Sequence, residues 1–263
     1  MTPKPLGFGK GDCPPEPLRG APPNLQADWD STRKKGESQI RPGAPERIKM
    51  AVFDVDGTLV DSRSSIFRAA TEAAEATGLT PPSYDQVRSI VGISLFEAIV
   101  QMLPDHDETT HRAYQSAFQG SFLRIHETSG FHETLYSGAD DLLRRLKSDG
   151  WFLGMATGQS RRGVNRCLNS YDWHDLFDAT FCADDGPSKP HPHMLQANLK
   201  ALGLDPHQAV MIGDTGHDMR MAREARVHAI GVSWGFHTVE ELDQADHIVH
   251  DFKELETALY AFR

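Results

Sequence analysis

Five short apolar runs mark the chain after residue 49: MAVFDV (50–55), WFLGMAT (151–157), ATFCA (179–183), AVMIGD (209–214) and VHAIGV (227–232). Each is bounded by polar or glycine-rich residues, and each reads as a buried strand. Between them apolar positions recur with helical spacing. Ala139, Leu142, Leu143 and Leu146 follow i, i+3, i+4, i+7, with Ser137 as the expected N-cap. Leu195, Leu199 and Leu202 make a second stripe, and Phe252, Leu255 and Leu259 a third. Strands alternating with helices predict an α/β fold, a doubly wound parallel sheet covered on both faces. Ligands of such sheets bind outside the carboxyl ends of the strands.

The alternation breaks after the first strand. Residues 64–134 hold helical runs such as SSIFRAATEAAEATG and SLFEAIVQML and no convincing strand. A right-handed crossover needs far fewer residues. The expectation is an inserted α-helical cap over 64–134, with the catalytic core formed by 50–63 and 135–263. Ile99, Val100 and Leu103 are assigned to the interior of the cap. Residues 1–49 contain nine of the sixteen prolines and few large apolar residues. They read as a disordered tail, with Met50 a possible start of the natural protein.

Composition narrows the partners. The net charge is −10, and the tail runs against it with nine Lys/Arg to six Asp/Glu. An acidic protein is not a default partner for nucleic acid or an anionic membrane. No run approaches the ~20 apolar residues that span a bilayer. The three cysteines, Cys13, Cys167 and Cys182, are widely spaced and form no CxxC pair. A reducing, cytoplasmic setting is expected. Oligomeric state is not legible.

Polar residues follow four of the strands: Asp54 and Asp56, then Thr157-Gly158, then Lys189, then Asp214 and Asp218. All would converge on one sheet edge. Paired aspartates repel unless a cation lies between them. Mg²⁺ takes oxygen ligands and uses one or two carboxylates beside substrate phosphate and water. Asp54 and Asp214 suit that role. Lys189 adds a compact cation. Gly57 and Gly158 let backbone N–H groups approach phosphate oxygens, and Thr58 and Thr157 add hydroxyls. Taken singly, each has a plainer reading: a turn for Asp-x-Asp-Gly, a surface lysine, a dipole-favoured carboxylate for Asp218. His191 and His193 match no common zinc spacing and read as loop histidines.

In this order the motifs resemble those of the haloacid dehalogenase superfamily, in its subfamily with a helical cap after the first motif. DVDGTLVDS, MATG, SKPHP and GDTGHDM occupy its four motif positions, and the likeness covers residues 50–263. Within it the chain is most similar to phosphoglycolate-phosphatase-like enzymes. The resemblance implies a Rossmann-like core and a Mg²⁺-dependent phosphatase acting on a small phosphorylated metabolite, with 2-phosphoglycolate as the best candidate. Asp54 would be the nucleophile that becomes an aspartyl-phosphate. Asp56 would serve as acid and base and bind Mg²⁺ through its carbonyl. Thr157, Gly158 and Lys189 would hold the phosphoryl group, Asp214 the metal, and Asp218 would support from behind. Gln159 stands where the family often has lysine. Arg88, Gly92 and Ser94 in the cap are candidates for substrate specificity. A pyrophosphatase, a nucleotide phosphatase, a sugar-phosphate mutase or a silent phosphate-binding regulator would share the scaffold. A phosphonate-cleaving relative would need a cap lysine, and residues 63–135 contain none.

Overall fold

The computed structural model describes residues 49–128 and 131–262. The expected tail therefore lies, except for Lys49, outside the described residues. Six parallel strands form the central sheet. They are β1 (Met50–Phe53), β4 (Phe152–Thr157), β5 (Ala179–Cys182), β6 (Ala209–Gly213), β7 (His228–Val232) and β8 (His247–Val249), in the order β5-β4-β1-β6-β7-β8. The register places Phe53 beside Met155 on one side and Ile212 on the other. The three central strands thus end level, and their polar successors meet.

Successive side chains of a strand point to opposite faces. Ala51 and Phe53 of β1 join one core and Met50 and Val52 the other. The first core packs α5 (Ala139–Ser148), α6 (Arg161–Tyr171) and α9 (Phe252–Ala261) through Leu142, Leu143, Val164, Leu255 and Leu259, around fully buried Trp173. The second packs α7 (His193–Leu202) and α8 (Gly216–Ala225) through Leu195, Leu199, Met219 and Ala222. A doubly wound sheet results, with each fully buried leucine contributing about 1.5–3 kcal/mol.

Three local features differ from the expectation. The N-cap of α5 is Gly138, at φ +94°, instead of Ser137. A Cβ there would come within 2.9 Å of Phe252 Cβ, so close packing selects glycine over a capping hydroxyl. Strand β8 was not anticipated, because three residues beginning with a histidine carry too little apolar signal. Nor was the two-residue pair β2 (Val60–Asp61) and β3 (Thr134–Leu135). These run antiparallel, with Val60 opposite Leu135, where the chain leaves and re-enters the sheet layer.

Between β2 and β3 lie four helices: α1 (Arg63–Thr77), α2 (Tyr84–Arg88), α3 (Leu95–Met102) and α4 (Glu108–Glu127). Ala73 and Ala74 of α1 present small side chains that let α4 approach closely. Tyr114 of α4 is buried there and donates its hydroxyl to Ala70 O at 2.7 Å. Ser83 and Gln86 close a capping box at the start of α2, and Asp107 caps α4. Ile99 is buried in this cluster as expected, whereas Val100 is exposed.

Candidate active site

Asp54 follows β1 directly and its N–H donates to Ile212 O at 2.9 Å, which extends the ladder by one residue. The chain then turns tightly, with the N–H groups of Thr58, Leu59 and Val60 all pointing to Val55 O. Gly57 permits this turn at φ +84°. It also permits close packing, since a Cβ would lie 2.6 Å from the Phe236 ring and 2.7 Å from Asp214 Cγ.

The expected residues meet at the strand ends. Lys189 is fully buried and its Nζ stands 2.8 Å from Asp54 Oδ1 and 2.6 Å from Asp218 Oδ1. Burial alone would depress its pKa, but the two carboxylates outweigh burial and hold it above the usual lysine range. Burial pushes the Asp54 carboxyl well up, reinforced by Asp218 and Asp214 and opposed by Lys189. Asp214 is pushed up to about 7 by burial and the Asp218 charge, against the pull of the Phe236 N–H and the Thr58 hydroxyl. Phe236 N donates to Asp214 Oδ2 at 2.8 Å, and Thr58 Oγ1 to Oδ1 at 2.8 Å. Asp218 Oδ2 accepts from the Thr215 hydroxyl at 2.6 Å, in the capping box that starts α8.

Carboxylate oxygens of Asp54, Asp214 and Asp218 lie within 4.8 Å of one another. Asp54 Oδ2 is buried with no hydrogen-bond partner among the described residues. One ammonium faces three clustered carboxylates, which leaves negative charge uncompensated and an oxygen unserved. A hard dication with oxygen ligands fits that deficit. Asp218 is engaged by Lys189 and Thr215 and Asp214 by Thr58 and Phe236 N, so Asp54 Oδ2 is the freest oxygen of the three carboxylates.

Other expected residues take different places. Thr58 gives its one hydroxyl proton to Asp214, so it positions that carboxylate instead of facing a phosphate. Thr157 is buried at the end of β4, and its Oγ1 accepts from Gln159 N at 3.2 Å, which leaves its proton to donate. Arg88 is paired with Glu241 at 2.7 Å and Asp85 at 2.9 Å and does not line the cavity above Asp54. Its guanidinium ties α2 to the 3₁₀ turn Val239–Leu242. Gly92 and Ser94 do line the cavity, and Ser94 N donates to Ser188 Oγ at 2.7 Å, one residue from Lys189.

Two residues, Glu133 and Arg166, escaped the sequence reading, and a third, Gln159, was noted there without a role. Gln159 Nε2 donates to Asp56 Oδ2 at 2.7 Å, and Gln159 Oε1 accepts from the Cys167 thiol at 3.7 Å. Its only sequence signal was the departure from lysine. The Glu133 side chain is 5% exposed, bonded to the Ser65 hydroxyl and 3.2 Å from His126 Nε2. Burial first and the Glu133 charge second raise the Asp56 pKa, against the Gln159 amide. Arg166 of α6 lines the same cavity. Nothing in the local sequence marked either.

The cavity, of about 570 Å³, lies between the inserted helices and the strand ends, with Asp54 and Asp56 in its wall. It joins a carboxylate–ammonium cluster able to hold a metal and an anion to a second carboxyl held by a neutral amide, an arrangement suited to phosphoryl transfer. The chain belongs to the haloacid dehalogenase-like hydrolase family, whose model matches residues 51–232. It is an enzyme, and its relatives in that family make it a phosphatase. It is 33% identical over 220 residues to "Probable phosphatase IndB" of Dickeya dadantii, covering 81% of this chain and 94% of that one. It is 30% identical over 213 residues to a phosphoglycolate phosphatase of Chromobacterium violaceum, covering 80% and 96%. A solved haloacid dehalogenase-like hydrolase from Streptococcus pneumoniae superposes with a TM-score of 0.70 at 26% identity, covering 82% of this chain and all of the other. No helix among the described residues is long and apolar enough to cross a membrane.

Proposed function

We propose that the chain is a Mg²⁺-dependent phosphomonoesterase that works through an aspartyl-phosphate on Asp54, with 2-phosphoglycolate or a related phosphorylated hydroxy acid as substrate. The observation that carries this reading is Asp54 itself. One of its oxygens is paired with Lys189 and the other is buried without a partner among the described residues, while Asp56 stands two residues away beside an open cavity.

In the first half-reaction an Asp54 oxygen bonds to phosphorus as the bond to the leaving oxygen breaks. Asp56, whose raised pKa favours a protonated carboxyl, gives its proton to the leaving alkoxide. In the second, Asp56 takes a proton from water, the water oxygen attacks phosphorus, and phosphate leaves Asp54. Lys189 offsets charge on Asp54 and on the transferring group. Thr157 and the backbone at Gly57 and Gly158 orient phosphoryl oxygens. Mg²⁺ held by Asp54, the Asp56 carbonyl and Asp214 would supply further charge neutralisation at phosphorus.

Residues 64–134 act as a cap. The Ser94–Ser188 hydrogen bond and the Arg88–Glu241 ion pair support a closed position that keeps bulk water from the acyl-phosphate. Two buried unpaired cysteines, Cys167 and Cys182, fit a cytoplasmic setting, which cell fractionation would check.

The test is phosphate release from a panel of monoesters, with pyrophosphate and nucleotides included, with and without Mg²⁺. Release from monoesters that needs Mg²⁺ is expected. Asp54→Asn should lose at least about 10³-fold in kcat while keeping its melting transition. Turnover by the Asn variant near the wild-type rate would remove Asp54 as nucleophile. Transfer to a second sugar hydroxyl in place of phosphate release would indicate a mutase.

A further inference from the structure

The cavity over Asp54 and Asp56 is larger and more apolar than the transferring phosphoryl group requires. At about 570 Å³ it lies within the ~300–1,000 Å³ range of pockets that enclose drug-sized ligands. Its outer wall is built from the inserted helices, with Ile66, Leu95, Ile99, Phe118 and Phe122.

Two arginines of α6, Arg162 and Arg166, interrupt this wall; Arg162 is exposed, whereas Arg166 is partly buried against an aromatic ring. Arg166 reaches the cavity from α6 on the sheet side, and its guanidinium stands 5.0 Å from the centroid of the Phe122 ring. It has no hydrogen bond or ion pair with any described residue. Other arginines near the insertion are engaged: Arg63 with Asp61, Arg88 with Glu241, Arg161 with Asp185. A planar guanidinium held over an aromatic ring, with no hydrogen-bond partner among the described residues, is preorganised for two parallel bonds to a carboxylate. Arg166 and Asp56 line the same cavity. Asp56 is where the leaving oxygen must be protonated. A single leaving group can therefore have its oxygen at Asp56 and its anion at Arg166.

We infer that the leaving group is a hydroxy acid carrying an apolar substituent, its carboxylate held by Arg166 on Phe122 and its substituent seated against Leu95, Ile99 and Phe118. This rests on the phosphomonoesterase reading above and specifies its substrate. Glycolate has the carboxylate but no substituent, and would leave the apolar wall facing water. The specificity arginine comes from the core helix α6, whereas Arg88 in the insertion is occupied by Glu241.

Four esters test this by steady-state kcat/KM in the presence of Mg²⁺: 2-phosphoglycolate, 2-phospholactate, the phosphate ester of 3-phenyllactate, and 2-phenylethyl phosphate, which keeps the ring but lacks the carboxylate. The phenyllactate ester should exceed 2-phosphoglycolate by about tenfold or more, the scale on which apolar pockets discriminate. It should exceed 2-phenylethyl phosphate by about tenfold or more, as expected for loss of a charged hydrogen-bonded partner. Arg166→Gln should bring the second ratio close to one. Arg166→Lys, which keeps charge without the fork, should give an intermediate ratio. Phe118→Ala should reduce the first ratio. Thermal melts of each variant separate misfolding from altered selectivity, and because each variant is read as a ratio between two esters, partial loss of folded protein cancels. A preference for 2-phosphoglycolate over the phenyllactate ester, or a carboxylate ratio unchanged in Arg166→Gln, would overturn the inference. An activated ester whose leaving group has no carboxylate, p-nitrophenyl phosphate, distinguishes the two levels. If it is hydrolysed while the ratios stay flat, the leaving-group assignment alone falls. If no ester at all releases phosphate, the phosphomonoesterase reading falls and this inference with it.

Discussion

Gln159 holds Asp56 through a neutral amide where a lysine would hold it through a charge. The difference matters to a group that must both give and take a proton. A buried ammonium at 2.7 Å would favour the carboxylate strongly, whereas the amide opposes only part of the upward push from burial and Glu133. Gln159→Ala should therefore lower kcat by about tenfold or more with a smaller effect on KM, because Asp56 loses its fixed rotamer and not the substrate its site. Steady-state kinetics decide, and an unchanged kcat would leave Gln159 without a positioning role. At this scale the sequence marked Asp54, Asp56, Lys189 and Asp214 by their spacing from strand ends. It could not mark Glu133 or Arg166, whose importance lies in what they touch. It also misread Thr58, because a hydroxyl in a motif does not reveal where its proton goes.

At the scale of elements, the cap segment 92–94 and the end of β4 are fitted backbone to backbone. A Cβ on Gly158 would stand 2.7 Å from Gly92 O, and Gly92 in turn lies at φ +100° against Thr215. The catalytic edge of the sheet and the insertion can close together only if both positions lack side chains. Gly158→Ala should leave the sheet folded, since β4 ends at Thr157, but should hold the cap off and lower kcat/KM by about 10²-fold, the cost of slight misplacement at a reacting centre. Kinetics together with a melting curve check this; full activity in the alanine variant would show that closure does not need this contact. Periodicity revealed the strands β1, β4, β5, β6 and β7 because their interiors are continuous apolar runs. It missed β2, β3 and β8, where two or three residues are too few to show a period.

For the whole molecule, the cluster of Asp54, Asp214 and Asp218 around one lysine is a site that function imposes on stability. Mg²⁺ binding to the folded state should raise the melting temperature, by the equivalent of about 2.7 kcal/mol at a hundredfold excess over Kd. Asp214→Asn should melt at or above the wild type without Mg²⁺ and lose the Mg²⁺-dependent increase. A melting temperature indifferent to Mg²⁺ in the wild type would count against a metal in this cluster. A second whole-molecule effect comes from His217 and His237, packed ring against ring at 5.6 Å. Burial first lowers both pKa values below the usual 6.5. His237 Nδ1 accepts from Gly216 N at 3.1 Å, which requires a neutral ring. Below pH 6.5 the unfolded chain takes up protons that the folded one refuses, so stability falls as pH drops through that value. His237→Gln should remove part of this slope, up to about 1.4 kcal/mol per pH unit, in denaturant melts between pH 7 and 5. Equal slopes in variant and wild type would show that the His237 pKa is the same folded and unfolded.

The amino-acid sequence by itself determined the strand-and-helix alternation, the insertion after the first strand and the four polar groups set at strand ends, because these are local: burial periodicity and short spacings are written residue by residue. Only the tertiary structure decided that Lys189 lies between Asp54 and Asp218, that Gln159 rather than a cation holds Asp56, that Arg88 is spent on Glu241, and that Arg166 lines the cavity with no hydrogen-bond or ion-pair partner among the described residues. Those facts join residues dozens to more than a hundred positions apart. Burial, charge compensation and pairing at such range follow from the packed geometry of the sheet and its insertion.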